Sequence, residues 1–135
     1  MAEVTDSKLL HIDTGILKKD ACIVLVKTEW NARITDQLEM GCIAELEKLG
    51  VKKTVVITVP GAFESPFAIK NYYRNAGKKN RADAFIALGC VIKGDTPHFE
   101  YVCQAITNGV LQLNLLLPVP TIFGVLTVNT EEQAI

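Results

Sequence analysis

The chain is poor in the residues that announce most chemistries. Its 135 residues include two histidines, one tryptophan and four cysteines, and 14 Lys+Arg nearly balance 15 Asp+Glu. The net charge of -1 leaves no basic footprint for nucleic acid or an anionic membrane surface. Cys22, Cys42, Cys90 and Cys103 lack CxxC spacing, which argues against zinc and disulfide scaffolds and for reduced, buried thiols in a cytoplasmic protein. No apolar run reaches membrane-spanning length, since residues 111–120 are cut by Gln112, Asn114, Pro118 and Pro120. Residues 1–15 hold no signal-peptide core and are expected to form an arm, with a short strand near 9–12. Internal repeats, low-complexity segments and linkers are missing too, so residues 16–135 read as one domain.

Apolar residues are abundant. They make up 49% of the chain, and about 53% on the scale where soluble domains average 45–50%. A domain of this size has limited interior, so part of the excess is expected to cover a partner subunit. Lys52-Lys53 and Lys78-Lys79-Asn80-Arg81 read as solvated surface at loops or helix ends.

Residues 21–26, 54–59, 83–91 and 121–126 are continuous apolar runs, the pattern of strands buried on both faces. Helical periodicity fills the intervals. Ile34, Leu38, Cys42, Leu46 and Leu49 recur over 31–50, with Gly50 at the C-terminal cap. A helix over 63–76 has Phe67, Ile69, Tyr72 and Tyr73 on its apolar side and Gly77 to close it. Another starts at Pro97, buries Val102, Ala105, Ile106, Val110 and Leu113, and ends at Pro118. Thr130-Glu131-Glu132-Gln133 is a capping-box pattern opening a last short helix. Alternating strands and helices of this kind predict an α/β fold, with a parallel sheet covered on both sides.

Ligands of such sheets bind beyond the carboxyl ends of the strands, where residues 27–31, 60–64, 93–98 and 127–130 should gather. The strand ending at Ile92 empties through Lys93-Gly94-Asp95-Thr96 into a helix. The unpaired N–H groups and positive dipole end at that helix mouth suit an anion. Pro97 fits the first helical position, having no N–H to orphan. His98 stands in the first turn, and imidazole is the side chain whose charge changes nearest neutral pH. A histidine there also serves as a cap or packing residue. Trp30, at a strand end beside Asn31, either stacks on a flat heterocycle or plugs the core. Gly61 and Ala62 let a ligand approach the backbone. Glu64 either accepts hydrogen bonds from hydroxyls or complements the helix dipole. Together these groups suit a planar polar ring with a polyol tail, plus a phosphate. Absent are the dinucleotide glycine pattern, a P-loop lysine-serine and a metal-ligand cluster.

The motifs Val59-Pro60-Gly61-Ala62-Phe63-Glu64, Gly94-Asp95-Thr96-Pro97-His98-Phe99-Glu100-Tyr101, Phe123-Gly124-Val125-Leu126-Thr127 and Glu132-Gln133-Ala134-Ile135, in this order and spacing, resemble the lumazine synthase family from about Val24 onward. The resemblance implies a flavodoxin-like three-layer sandwich with a central, mainly parallel sheet. It also implies a transferase of riboflavin biosynthesis that joins 5-amino-6-(D-ribitylamino)uracil to 3,4-dihydroxy-2-butanone 4-phosphate, giving 6,7-dimethyl-8-ribityllumazine. Neither cofactor nor metal is needed in that family. Its subunits form pentamers, sometimes paired as decamers or built into icosahedral shells, with active sites between neighbours.

Residue by residue, the resemblance makes Trp30 the ring that stacks on the pyrimidine. Asn31, Ala62, Phe63 and Glu64 line the ribityl side, and Val91, Ile92 and Lys93 frame the pyrimidine edge through backbone groups. Gly94, Asp95 and Thr96 form the phosphate loop. The Asp95 carboxylate repels phosphate, so backbone N–H donation is expected there. His98 is the catalytic histidine, and Phe123 closes the pocket of an adjacent subunit. The family pattern continues the final helix with an arginine two positions past Ile135 and a lysine further on. The final helix is therefore expected to be truncated, or phosphate binding to be weaker with a raised Michaelis constant. A low-turnover, shell-forming or lumazine/flavin-binding relative is the alternative function, and a flavodoxin-like redox protein the third.

Overall fold

The computed structural model describes Lys18 and residues 20–135; the expected arm and its strand lie outside the described residues. In chain order the elements are β1 (Cys22–Thr28), α1 (Ala32–Lys48), β2 (Lys53–Val59), a 3₁₀ turn (Ala62–Glu64), α2 (Ser65–Asn75), a second 3₁₀ turn (Lys78–Asn80), β3 (Ala84–Ile92), α3 (His98–Leu116), β4 (Thr121–Val128) and α4 (Glu131–Ala134). The four strands pair in parallel in the order β2-β1-β3-β4. That order matches the first four strands of the flavodoxin type, whose chain reverses direction of winding between β1 and β3. The α/β expectation holds.

The alternation of side chains along each strand splits the core into two layers. Ile23, Leu25 and Leu88 pack under α1 against Leu38, Cys42 and Leu46. Val24, Val26, Phe85 and Ala87 face the opposite way and meet Ile69 of α2 and Ile106, Val110 and Leu113 of α3. β1, in the middle, is buried along its length except at Lys27. β2 and β4 depart from the doubly buried expectation. They are the two edge strands among the described residues: β2 is buried only at Val59, and Ile122 and Phe123 of β4, on opposite faces, are 52% and 42% exposed. Asn114 ties its start to α3, accepting from the Thr121 N–H at 2.8 Å and donating to the Thr121 carbonyl at 3.0 Å.

The helix ends follow local chemistry. Gly50 takes φ 86 after α1, with its N–H on the Glu47 carbonyl and the Val51 N–H on that of Leu46. This is a Schellman motif, which favours glycine at the left-handed position. Gly77 does not close α2: the helix ends at Ala76 in extended backbone, and Gly77 opens the second 3₁₀ turn. Pro97 sits one position earlier than expected, at the N-cap of α3, leaving His98 first in the helix. The Thr130 side chain makes no capping bond; Gln133 instead accepts from the Asn129 N–H at 2.8 Å. Helix α2 starts at Ser65 rather than 63, because residues 62–64 wind as 3₁₀ before Pro66 enters the first turn. α2 and α3 meet closely, since a Cβ on Gly109 would lie 2.4 Å from Pro66 Cγ. Among the described residues no helix is long and apolar enough to cross a membrane.

Candidate active site

At the carboxyl end of the sheet, β1 and β3 diverge around a cavity of about 460 Å³. Thr28, Trp30 and Asn31 line it from the β1 side, Gly61, Ala62, Phe63 and Glu64 from the β2 side, and Cys90, Val91, Ile92, His98 and Val102 from β3 and α3. This is the crevice at the switch point that the winding of the sheet creates.

The β1 side is held by hydrogen bonds. The N–H groups of Glu29 and Trp30 donate to the carbonyls of Val59 and Pro60 at 2.8 and 3.2 Å, extending the β1–β2 ladder past its last strand pair. The buried Thr35 hydroxyl donates to the Thr28 carbonyl at 3.0 Å. Asn31 caps α1 with φ 59 and ψ 45, the one non-glycine residue with positive φ among the described residues. Asparagine tolerates that conformation better than most side chains. Its amide donates to the Cys90 carbonyl at 2.7 Å.

Trp30 is 73% exposed, with its indole over the β2 turn. Gly61 makes room there: an added Cβ would lie 3.1 Å from Glu64 Oε2 and 3.5 Å from Trp30 Cδ1. The indole edge and the Glu64 carboxylate are thus near neighbours across a glycine. Glu64 Oε2 accepts the Gly61 N–H at 2.9 Å, which stiffens the turn and leaves Oε1 for another donor.

The β3 side is open by contrast. Residues 93–98 are exposed. Lys93 N–H is bonded to the Val128 carbonyl at 2.9 Å, and His98 N–H contacts Thr96 Oγ1 at 3.4 Å. Among the described residues nothing accepts from the N–H groups of Gly94, Asp95 or Thr96. Free amides beside the start of a 19-residue helix are the setting in which backbone binds anions. Burial, aided by the Glu131 charge, pushes the Cys90 thiol up. It therefore stays protonated near neutral pH and is a poor nucleophile. All four cysteines are free, Cys22 and Cys90 buried and Cys42 and Cys103 half-buried.

Of the residues singled out from the sequence, Trp30, Asn31, Ala62, Phe63, Glu64, Val91, Ile92 and His98 meet in this cavity. Lys93, Gly94, Asp95 and Thr96 stand beside it on the loop leading to His98, outside its lining. Phe123 is on β4, paired in register with Ala87 and away from the cavity of its own chain. Thr28, Cys90 and Val102 also line the site. Val102 had a signal, because position i+4 from His98 shares its helix face. Thr28 fell in the 27–31 stretch expected at the strand ends without being singled out, and Cys90 read only as a buried strand residue.

The sequence model of a family described as 6,7-dimethyl-8-ribityllumazine synthase matches residues 20–135. A 6,7-dimethyl-8-ribityllumazine synthase of Bacteroides fragilis is 47% identical over 112 residues, which cover 82% of this chain and 76% of the relative. One from Parabacteroides distasonis is 46% identical, covering 83% and 69%. One from Streptomyces coelicolor is 41% identical over 86% and 69%. With the parallel sheet, the switch-point cavity and this similarity through all four strands, the chain belongs to the 6,7-dimethyl-8-ribityllumazine synthase family.

Proposed function

We propose that the protein condenses 5-amino-6-(D-ribitylamino)uracil with 3,4-dihydroxy-2-butanone 4-phosphate to 6,7-dimethyl-8-ribityllumazine. The observation that carries this reading is the convergence of Trp30, Glu64 and His98 on one cavity beside a loop whose backbone amides have no acceptor among the described residues. The pyrimidine stacks on Trp30, with its edge along the backbone of Val91, Ile92 and Lys93. The ribityl chain runs past Ala62 and Phe63 to Glu64 Oε1. The phosphate sits on the amides of Gly94, Asp95 and Thr96 at the mouth of α3.

The chemistry then follows from the substrates. The 5-amino nitrogen attacks the ketone carbon, and loss of water gives an imine. The hydroxyl-bearing carbon loses its proton, and that C–H electron pair forms a carbon–carbon double bond as the carbon–oxygen bond to phosphate breaks with its pair leaving on the phosphate. The resulting enol tautomerises to a ketone. The ribitylamino nitrogen closes the second ring, expelling another water. His98 carries protons between nitrogen, carbon and oxygen in these steps, a role worth about 10²–10⁴-fold. Holding two substrates in register contributes the larger share. The amide loop anchors the ketone substrate and stabilises the departing anion.

Phe63, Phe67, Tyr101, Leu111 and Leu115 are more than half exposed, and the last three lie along one side of α3. Such a surface suits burial against further copies of the chain. We place the working enzyme in a cytoplasmic pentamer, alone, paired or within an icosahedral shell, with Phe123 closing the neighbour's site. Native mass spectrometry should give a mass in multiples of five chains. Incubation with both substrates should raise the lumazine absorbance and release one phosphate per product. Substrate binding without product at any concentration of the butanone phosphate would overturn the enzyme reading.

A further inference from the structure

The β1–β3 ladder stops at Lys27↔Leu88, while β3 runs on to Ile92. Beyond Leu88 the β1-facing edge of β3 has lost its strand partner, and the Asn31 amide takes that place on the Cys90 carbonyl at 2.7 Å. On the other side, the ladder to β2 is prolonged by backbone bonds from Glu29 and Trp30. Trp30 therefore sits between two ties, one made of backbone and one of a single side chain. The left-handed backbone of Asn31 turns the chain so that its amide reaches β3 while Trp30 stays at the cavity wall. From this geometry we infer that Asn31 is a positioning residue: it acts through the Trp30 ring, by latching the β1–α1 turn to β3, and not by contact with substrate. The inference deepens the function proposed above and rests on it only for the kinetic arm of the test.

Two substitutions separate the latch from the backbone conformation. Asn31→Gly keeps the left-handed turn without an amide, and Asn31→Asp keeps the shape and puts an acceptor where the donor was. Trp30 is the only tryptophan, so its emission reports the turn directly. In time-resolved anisotropy of the free protein, the amplitude of fast local motion at Trp30 should at least double in both variants. KM for the pyrimidine substrate should rise about tenfold with kcat changed less than threefold, because stacking serves ground and transition states alike. In a Trp30→Ala background, Asn31→Gly should change KM by less than twofold.

A tenfold effect that persists without Trp30 would mean that Asn31 touches substrate, and would overturn the inference. So would unchanged Trp30 mobility. Should Asn31→Gly not fold, Asn31→Asp carries the same comparison. Loss of folding in both would make Asn31 a residue of the fold and likewise end the proposal. The anisotropy arm needs no substrate, so a wild-type protein without turnover would sink the enzyme reading while leaving the latch to be decided.

Discussion

The turn after β1 and the loop after β3 leave the sheet at the same edge and border the same cavity, yet they are built in opposite ways. Residues 28–31 are bonded to β2, β3 and α1 through Val59, Pro60, Cys90 and Thr35. Among the described residues nothing accepts from the backbone donors of residues 94–96. The difference matches what each is proposed to hold. A flat ring needs a platform in one orientation, so its supporting backbone is fixed in advance. An anion is recognised by its charge and by whichever amides converge on it, so those amides have to be left free. Lys27 strengthens the closed side from below. Its ammonium pairs with Asp36 at 2.8 Å and with Glu39, fastening α1 to the end of β1.

Removing the imidazole tests the open side hardest. His98→Ala should lower kcat by about 10²–10⁴-fold while a lumazine-like product analogue binds within threefold of wild type. Equal losses in rate and affinity, measured by stopped-flow absorbance and calorimetry, would make His98 structural and erase the contrast. Trp30→Ala should weaken that analogue by about 30-fold, on the order of 2 kcal/mol, with little change in thermal stability of a ring so exposed. Next comes the closed turn itself. Thr35→Val strands the Thr28 carbonyl in a buried site and should cost about 1.5 kcal/mol in urea unfolding.

The Lys27 cluster gives a pH signature. The carboxylates of Asp36, chiefly, and Glu39 hold its ammonium above the ordinary lysine range, against the effect of burial. A raised folded value means the contribution is complete below about pH 10.4 and is lost as pH climbs through the folded value. Lys27→Met should therefore be less stable than wild type by about 1 kcal/mol at pH 8, with the gap closing above pH 11. Thr96→Ala should show the smallest effect on stability, within about 0.5 kcal/mol, because its loop is exposed and scarcely bonded. The same variant should raise KM for the butanone phosphate, which would mark residue 96 as serving ligand and not fold.

Much of this was legible in the sequence because it rests on local rules. Continuous apolar runs marked the strands, and Gly50 marked the end of α1 by the left-handed position it supplies. Trp30, Glu64 and His98 were identifiable because each follows a strand, and strand ends share one side of a parallel sheet. What escaped depended on which partner each polar group takes, near or far along the chain. Asn31 reads as part of the ribityl wall until Cys90, 59 residues away, is seen to accept its amide. Glu64 reads as free until Gly61 is found donating to it. The capping-box pattern at Thr130 misled for the same reason: Gln133 bonds one residue further back than the pattern requires. The openness of β4 was hidden as well, because residues 121–126 look as apolar as the central strand. An edge position is a property of sheet order, which no single segment encodes.

Gly109 lets α2 and α3 touch through a hydrogen atom, with Pro66 against it. α2 carries the Gly61–Glu64 turn at its head, and α3 begins at His98, so their separation sets the spacing between the carboxylate and the imidazole. Even one methyl at position 109 would wedge the two helices apart and widen the mouth of the cavity from below. The gauge of the candidate site is thus written at a position outside its lining.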